Sequence, residues 1–347
     1  MFAGLSRSGL AIAVLAPFLA VPAARAADPQ TVVVASFGSL WQDALEKALA
    51  PFEAAHNVKI RYTAGSSADN VARAIAARNH PEVDVVMGEE MTFFQGHQAG
   101  IFEKLDPAVV TNLKTVVPQA RMGDGDGVGV VMQSIGLFYN TATFAKNGWA
   151  APNSWTALLD PRYCHRIGLA DASLSFTYYA LMMLGGGKPD DVPAGAKLLA
   201  GNRGCIDSFD TNSGQTIQKA QLGETDIGVL AHQLVITLAQ KGAPLAFANP
   251  KEGTILQFST AAVTKGAPHP ALAQILVNEM LSERVQRVLV QEFSVSPVNP
   301  AVTVPPELIA KGAPDPAHMD RYITINAETI LPNRRRYIED SIRLLAQ

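Results

Sequence analysis

An apolar run from Gly9 to Val21 opens the chain, with Arg7 before it and the small-residue site Ala24-Arg25-Ala26 after it. That is the order of a cleavable secretory signal over residues 1–26, and the mature protein is expected to begin near Ala27. A spanning helix needs about 20 apolar residues in a row, and this run is shorter and interrupted by Pro17. No cysteine precedes Cys164, so no lipid-attachment cysteine stands at the cleavage site. A free periplasmic protein without stable membrane insertion is the expectation.

Beyond residue 28 the periodicity alternates between two and about 3.6. The β-branched run Thr31-Val32-Val33-Val34-Ala35 reads as a strand that stops at Ser36-Phe37-Gly38-Ser39. Trp41, Leu45, Leu49 and Phe52 then line one helix face, which ends near His56-Asn57, and Val58, Ile60 and Tyr62 alternate as a second strand. Serines 66 and 67 precede a helix carrying Val71, Ala74 and Ile75, and Val83 to Met87 is a third strand. Strand, helix, strand, helix, strand predicts an α/β lobe with a mainly parallel sheet. Apolar segments at Val128–Met132, Gly136–Tyr139, Ile167–Leu169 and Ile227–Leu230 repeat the style, which predicts a second such lobe. One long amphipathic helix is expected after Pro270, carrying Leu272, Ile275, Leu276, Met280, Val285 and Leu289. The tail from Asn333 reads as another, with Tyr337, Ile338, Ile342 and Leu345 on one side. Pro297 to Pro316 reads either as an ordered connection or as a loose linker.

Size agrees with two lobes, since about 320 residues exceed what one hydrophobic core usually serves. The formal charge of −3 becomes −5 once Arg7 and Arg25 are removed, which argues against nucleic acid or an anionic membrane as partner. Cys164 and Cys205 are the two cysteines, and in an oxidising compartment a bridge is expected, two buried thiols being the alternative. The seven histidines are scattered with no HExxH spacing, and no GxSxG elbow occurs. Gly185-Gly186-Gly187-Lys188 runs into Pro189 and does not complete a phosphate loop. Asp124-Gly125-Asp126-Gly127 lacks the later ligands of a calcium loop. No enzyme, metal site or cofactor is therefore expected.

At the carboxyl end of the first strand, Ser36, Phe37 and Ser39 are placed to meet a ligand, while Ser39 serves equally as a helix cap. Gly65, Ser66 and Ser67 combine hydroxyls with a helix N-terminus, an arrangement suited to an anion. Glu89 and Glu90 follow the third strand and suit a ligand amine, or else form a solvated pair. Adjacent side chains diverge, so one of them, taken as Glu89, is expected to face the ligand.

The segment TAGSSADNVARAIAARNHPEVDVVMGEE at 63–90 resembles extracellular solute-binding proteins of bacterial ABC importers, in the branch with ferric-iron, polyamine, thiamine and aminophosphonate binders. FEKLDP at 102–107, IGLFYNT at 135–141, SWTALLDPRY at 154–163, GETDIGVL at 223–230, PKEG at 250–253 and SVSPVNP at 294–300 extend the resemblance in order. It implies a periplasmic-binding-protein-like type II fold: two α/β lobes, two crossing strands and a ligand cleft that closes. Lobe 1 would take 28–131 plus 255–305, and lobe 2 would take 132–254 plus 306–347. The implied partners are a small-molecule ligand and an ABC permease with its ATPase.

The resemblance also implies that Ser173, Ser175, Ser213, His232 and Gln257 line the cleft from the second lobe. Polyamine binders carry carboxylates and Trp at several such places, where this chain has Ala172, Ser175, Ala231, Gln257 and Ser259. Ferric-iron binders carry a Tyr pair near Ala231-His232, whereas Tyr178-Tyr179 here lies in the apolar run SFTYYALMML and reads as packing. The expected cargo is a small organic anion or zwitterion, such as an aminophosphonate or an amino or hydroxy acid. A polyamine or iron importer, a ligand sensor for a membrane receptor, and an exported enzyme on the same fold are the alternatives.

Overall fold

A computed structural model describes Met1 and residues 28–38, 40–170, 175–207, 209–210, 213–325 and 327–346. The segment read as an export signal, Ser39 and Ser173 lie outside the described residues, as do the side chains of Ser175 and Ser213. Strands β1 (Gln30–Ser36), β2 (Val58–Ala64) and β3 (Val85–Glu89) run parallel in the order β2-β1-β3. Helices α1 (Leu40–His56) and α2 (Ser67–Ala76) are their crossovers. Strand β3 starts two residues later than its apolar run suggests because Asp84 acts through its side chain. That buried carboxylate accepts from the Val33 N–H at 2.8 Å and from the His269 N–H at 2.6 Å.

The chain continues through α3 (Glu90–Gln98), the short β4 (Phe102–Glu103) and β5 (Arg121–Met122), and then β6 (Gly127–Asn140). The second lobe adds α4 (Thr141–Asn147), β7 (Ile167–Gly168), α5 (Ser175–Gly185), α6 (Val192–Gly201), α7 (Ser213–Gln221), β8 (Ile227–Ala231), α8 (His232–Gln240) and β9 (Leu245–Ala248). Strand β10 (Ile255–Thr264) returns to the first lobe, completing the path β2-β1-β3-β10-β6-β8-β7. Strand β6 pairs with β10 over Val128–Ile135 and with β8 over Ile135–Tyr139, while β10 pairs with β3 over Ser259–Val263. These two antiparallel strands are thus common to both α/β lobes. Buried along nearly their whole length on both faces, they show no polar-apolar alternation, and their few polar side chains, such as Gln133 and Gln257, are buried too.

The long helix expected after Pro270 is two helices, α9 (Pro270–Met280) and α10 (Glu283–Phe293). Ser282 separates them by accepting from the Val285 N–H at 3.2 Å, an N-cap that starts a new helix while the apolar spacing runs on. The proline-rich stretch is ordered. It carries β11 (Ser296–Pro297) and α11 (Pro306–Ala310), and the Ser296 hydroxyl donates to the Pro314 carbonyl at 2.6 Å. After β12 (Ile323–Thr324) comes α12 (Ala327–Leu345), which begins before the expected Asn333 and contains Pro332. Helix α12 packs on α6 and also on α3, so the tail touches both lobes. Close packing of α5 on α6 depends on Gly195, where a Cβ would come within 1.7 Å of the Leu181 carbonyl oxygen. A disulfide joins Cys164 to Cys205. Among the described residues no helix is long and apolar enough to cross a membrane.

Candidate functional site

The carboxyl ends of β1 and β3 and the start of α2 meet at one edge of the first lobe. The Ser36 hydroxyl turns inward and donates to the Met87 sulfur at 3.6 Å, and its carbonyl accepts from the Gly65 N–H at 3.0 Å and the Asn70 amide at 3.1 Å. Phe37 is half-buried and stands edge-on to Trp41, with ring centres 5.9 Å apart. Ser66 is the N-cap of α2 in a reciprocal capping box: its Oγ accepts from the Asp69 N–H at 3.1 Å and donates to the Asp69 carboxylate at 2.6 Å. Ser67 Oγ accepts from the Glu89 N–H at 2.6 Å and bonds Thr92, tying α2 to the junction of β3 and α3. The serine hydroxyls that looked suited to a ligand therefore hold this turn together. What the turn leaves for a solute is its backbone and its rim.

Gly88 is small for the same reason. A Cβ there would lie 2.9 Å from the Thr92 hydroxyl and 3.0 Å from the Ser67 hydroxyl. Thr92 closes the arrangement by donating to the Glu89 carbonyl at 2.8 Å. Glu89 and Glu90 are thereby presented at the end of the strand, both half-buried.

Between the lobes, Gln133 of β6 and Gln257 of β10 face each other in register. Gln233 of α8 donates to Gln133, Gln133 donates to Gln257 at 2.5 Å, and the Gln257 amide reaches the Tyr179 hydroxyl at 3.5 Å. This buried chain of amides crosses both shared strands and ends on α5. Gln257 belongs to it. His232 does not: it is fully enclosed, its Nδ1 accepts from the Ser134 N–H at 3.1 Å, and its Nε2 donates to the Ser294 carbonyl at 2.9 Å. Burial lowers its pKa to about 4, so the ring is neutral and pins β6 to the first lobe. With both nitrogens used, it corrects the expectation of a ligand-facing histidine.

Tyr179 is also enclosed, and burial first, then the Glu90 and Glu89 carboxyls, push its hydroxyl far above the ordinary range. Arg334 of α12 acts on the same hydroxyl in the opposite sense, and its guanidinium lies 5.7 Å from the centre of the Tyr178 ring. Two carboxyls from the first lobe and one guanidinium from the tail therefore act on one phenol. Enclosure raises the Glu90 pKa to about 8. Sequence reasoning took the Tyr pair as packing, which the burial of both rings bears out, yet missed that Tyr179 ends a polar chain. It also passed over Arg334, whose one signal is its place three and four residues before Tyr337 and Ile338, on the face of the tail helix that packs inward. Among the described residues no three His, Cys, Asp or Glu side chains gather as a metal site.

The family profile described as bacterial extracellular solute-binding protein matches residues 47–316. A gamma-aminobutyric acid-binding protein of Pseudomonas aeruginosa is 25% identical over 328 residues, 89% of each chain. Spermidine/putrescine-binding periplasmic protein 1 of Haemophilus influenzae is 26% identical over 199 residues, 55% of this chain and 54% of that one. Among solved structures, the PBP MotA from A. tumefaciens B6 in complex with glucopine superposes with a TM-score of 0.77 at 21% identity, covering 91% of this chain and 100% of that chain. At that identity the likeness speaks for the fold.

Proposed function

The chain belongs to the bacterial extracellular solute-binding proteins, and from that membership we propose that it is the capturing component of an ABC importer whose cargo is a small zwitterion bearing an ammonium group. This is a binding family, so the reading of an exported enzyme is set aside. The observation that carries the zwitterion is that Glu90 and Glu89 on one side and Arg334 on the other act electrostatically, in opposite senses, on the buried Tyr179 hydroxyl. Opposite charges acting on one buried hydroxyl complement a solute that carries both signs, whereas a polyamine would find the guanidinium repulsive. The full-length relative named for gamma-aminobutyric acid supports the same chemistry.

In this reading a solute touching α3 and α12 at once favours the closed arrangement of the lobes by its differential affinity for it. A permease with its ATPase would then receive the closed form. The export signal read at residues 1–26 supports delivery to the periplasm. Ser36, Phe37, Gly65, Ser66, Ser67 and Glu89 would form the rim on one lobe, with Ser173, Ser175 and Ser213 opposite and Gln257 beneath.

Thermal shift of residues 27–347 tests the cargo class against γ-aminobutyrate, α-amino acids, 2-aminoethylphosphonate, putrescine, spermidine, small carboxylates and Fe(III). A zwitterion at a hundredfold excess over its Kd should stabilise the protein by about 2.7 kcal/mol. A shift with spermidine or putrescine alone would replace the reading by polyamine import. Arg334→Met supplies a second test by calorimetry. Loss of a charge-assisted contact worth about 3 kcal/mol should weaken a carboxylate-bearing zwitterion roughly 100-fold while leaving a diamine no weaker. Equal losses for both would remove Arg334 from the site.

A further inference from the structure

A cavity of about 150 Å³ lies beneath α2 in the first lobe, and its walls include none of the residues proposed for the cleft. Its floor carries Thr63 of β2, Ala35 of β1 and Thr264 of β10, and the strand order β2-β1-β3-β10 spreads these over three spacings, about 14 Å. So small a volume drawn out over that span is a narrow slot. Ala35 on the sheet side and Ala74 and Ala77 on the helix side give it apolar walls, which suit an unbranched aliphatic chain. Thr264 is 3% exposed, and among the described residues its enclosed hydroxyl has no hydrogen-bond partner. A hydroxyl buried in that way is costly, and on the wall of a cavity an occupant can offset the cost. Arg73 supplies the charge. Its Nη2 donates to Asn70 Oδ1 at 2.6 Å, and Asn70 is fixed in turn by donating to the Ser36 and Met87 carbonyls at 3.1 and 3.3 Å. Gly65 leaves the guanidinium its room, since a Cβ there would overlap Nη2. Among the described residues Nε and Nη1 have no hydrogen-bond partner.

The guanidinium is thereby held at the slot with donors to spare, a charge-assisted receptor for one carboxylate. Glu82 lines the same slot, exposed and without an ion pair among the described residues, and it sets a limit. A second carboxylate on the occupant would meet its like charge or, beside Thr264, an enclosure that holds no cation. We infer that the slot is a second small-molecule site of the protein, and that it takes a short unbranched monocarboxylate with a hydroxyl at its far end. The carboxylate lies on Arg73 and the hydroxyl on Thr264. Because the Thr264 hydroxyl both donates and accepts, it serves such a partner without needing a charge. Built within one lobe, the site is independent of the cargo that the cleft takes.

Methyl-labelled alanine reports on the slot directly, because Ala35, Ala74 and Ala77 line it. The probes are ω-hydroxy acids of about four to six carbons, a length suited to the span of the slot. Titrated into the mature protein, they should shift these alanine methyl resonances in a saturable way. The fatty acid of the same length should bind about tenfold more weakly, and the dicarboxylate should leave the resonances in place. Thr264→Val should erase the preference for the hydroxy acid, and Thr264→Ser should keep it. Thr264→Val should also raise the melting temperature of the ligand-free protein, because it removes a buried hydroxyl that has nothing to bond. Arg73→Gln should weaken the hydroxy acid and the fatty acid alike, by roughly tenfold. Ala74→Leu, which fills the slot, should abolish the shifts, and the melting temperature of each variant verifies folding. Absence of saturable shifts, shifts that sodium chloride of equal ionic strength reproduces, or saturable shifts confined to alanines outside the slot overturn the site. Equal affinity for the hydroxy acid and the fatty acid, or a Thr264→Val protein that keeps the preference, overturns the assignment of its occupant. A lower melting temperature in Thr264→Val would show the hydroxyl already satisfied and overturns that assignment as well.

Discussion

Replacement of Cys164 and Cys205 by serine is expected to remove about 4 kcal/mol of stability, the chain-entropy value for a loop closed across a separation of 41 residues. For a protein of this size that is a fall in melting temperature of roughly 8 °C. The bridge joins two tight turns, Pro161–Tyr163 and Arg203–Cys205, and the His165 N–H donates to the Cys205 carbonyl at 2.8 Å beside it. Both turns lie ahead of the strand positions that follow them, Ile167 in β7 and the bridged pair Ala170 and Asp210. The side chains proposed for the site, Glu89, Glu90 and Arg334, belong to other elements, β3, α3 and α12. Stability should therefore drop without loss of affinity, and dithiothreitol should reproduce the drop in the wild type. Calorimetric melting with and without reductant measures the first claim, and ligand titration at 20 °C measures the second. An unchanged melting temperature would mean that the unfolded chain is not freed by cutting the bridge.

Backbone architecture was legible wherever period and punctuation agreed. The first strand and helix, the left-handed Asn57 that ends α1, and the apolar segments of the second lobe all follow from spacing. Strand β6 was read as two pieces because Gln133 and Ser134 interrupt its apolar run. The interruption marks the point where the strand passes between lobes and its amides join the buried chain to Tyr179. A polar break in an apolar run means a loop by pattern, whereas here it is continuous strand passing between the lobes, and only the partners tell the two apart. Ser282 makes the reverse case, since its capping hydroxyl divides a helix whose apolar period does not change.

The site was harder to read for a reason that Ser66, Ser67 and Arg334 share. Which way a side chain turns depends on neighbours far away in the chain, and the hydroxyls of both serines turn toward local caps and ties. Arg334 approaches Tyr178 across more than 150 residues of intervening chain, a contact no local motif encodes. The packing of α12 on α3, which brings the tail helix to the first lobe, is likewise invisible to any local pattern.

His232 carries the other large effect, a loss of stability in acid. Its folded pKa of about 4 lies below the ordinary 6.5, so between these values the unfolded chain binds a proton that the folded one refuses. Stability from this group is fully present above pH 6.5 and declines as pH falls, reaching a deficit of about 3 kcal/mol at pH 4. The loss has a structural address. A protonated Nδ1 can no longer accept from the Ser134 N–H, and the Ser294 carbonyl on the other side bonds through Nε2 alone. Ser294 stands at φ 53° as the left-handed cap of α10, so the strained connection and the shared strand β6 lose their common tie together. Urea unfolding at pH 7, 6, 5 and 4 should show the decline, and His232→Gln should flatten it by close to one proton while being less stable at pH 7. The comparison between the two proteins isolates the histidine from carboxylates that titrate in the same range. Parallel curves would place the proton-sensitive group elsewhere. A flattened curve would make His232 a latch at the base of the lobes, neutral where the carrier works and released when the medium turns acid.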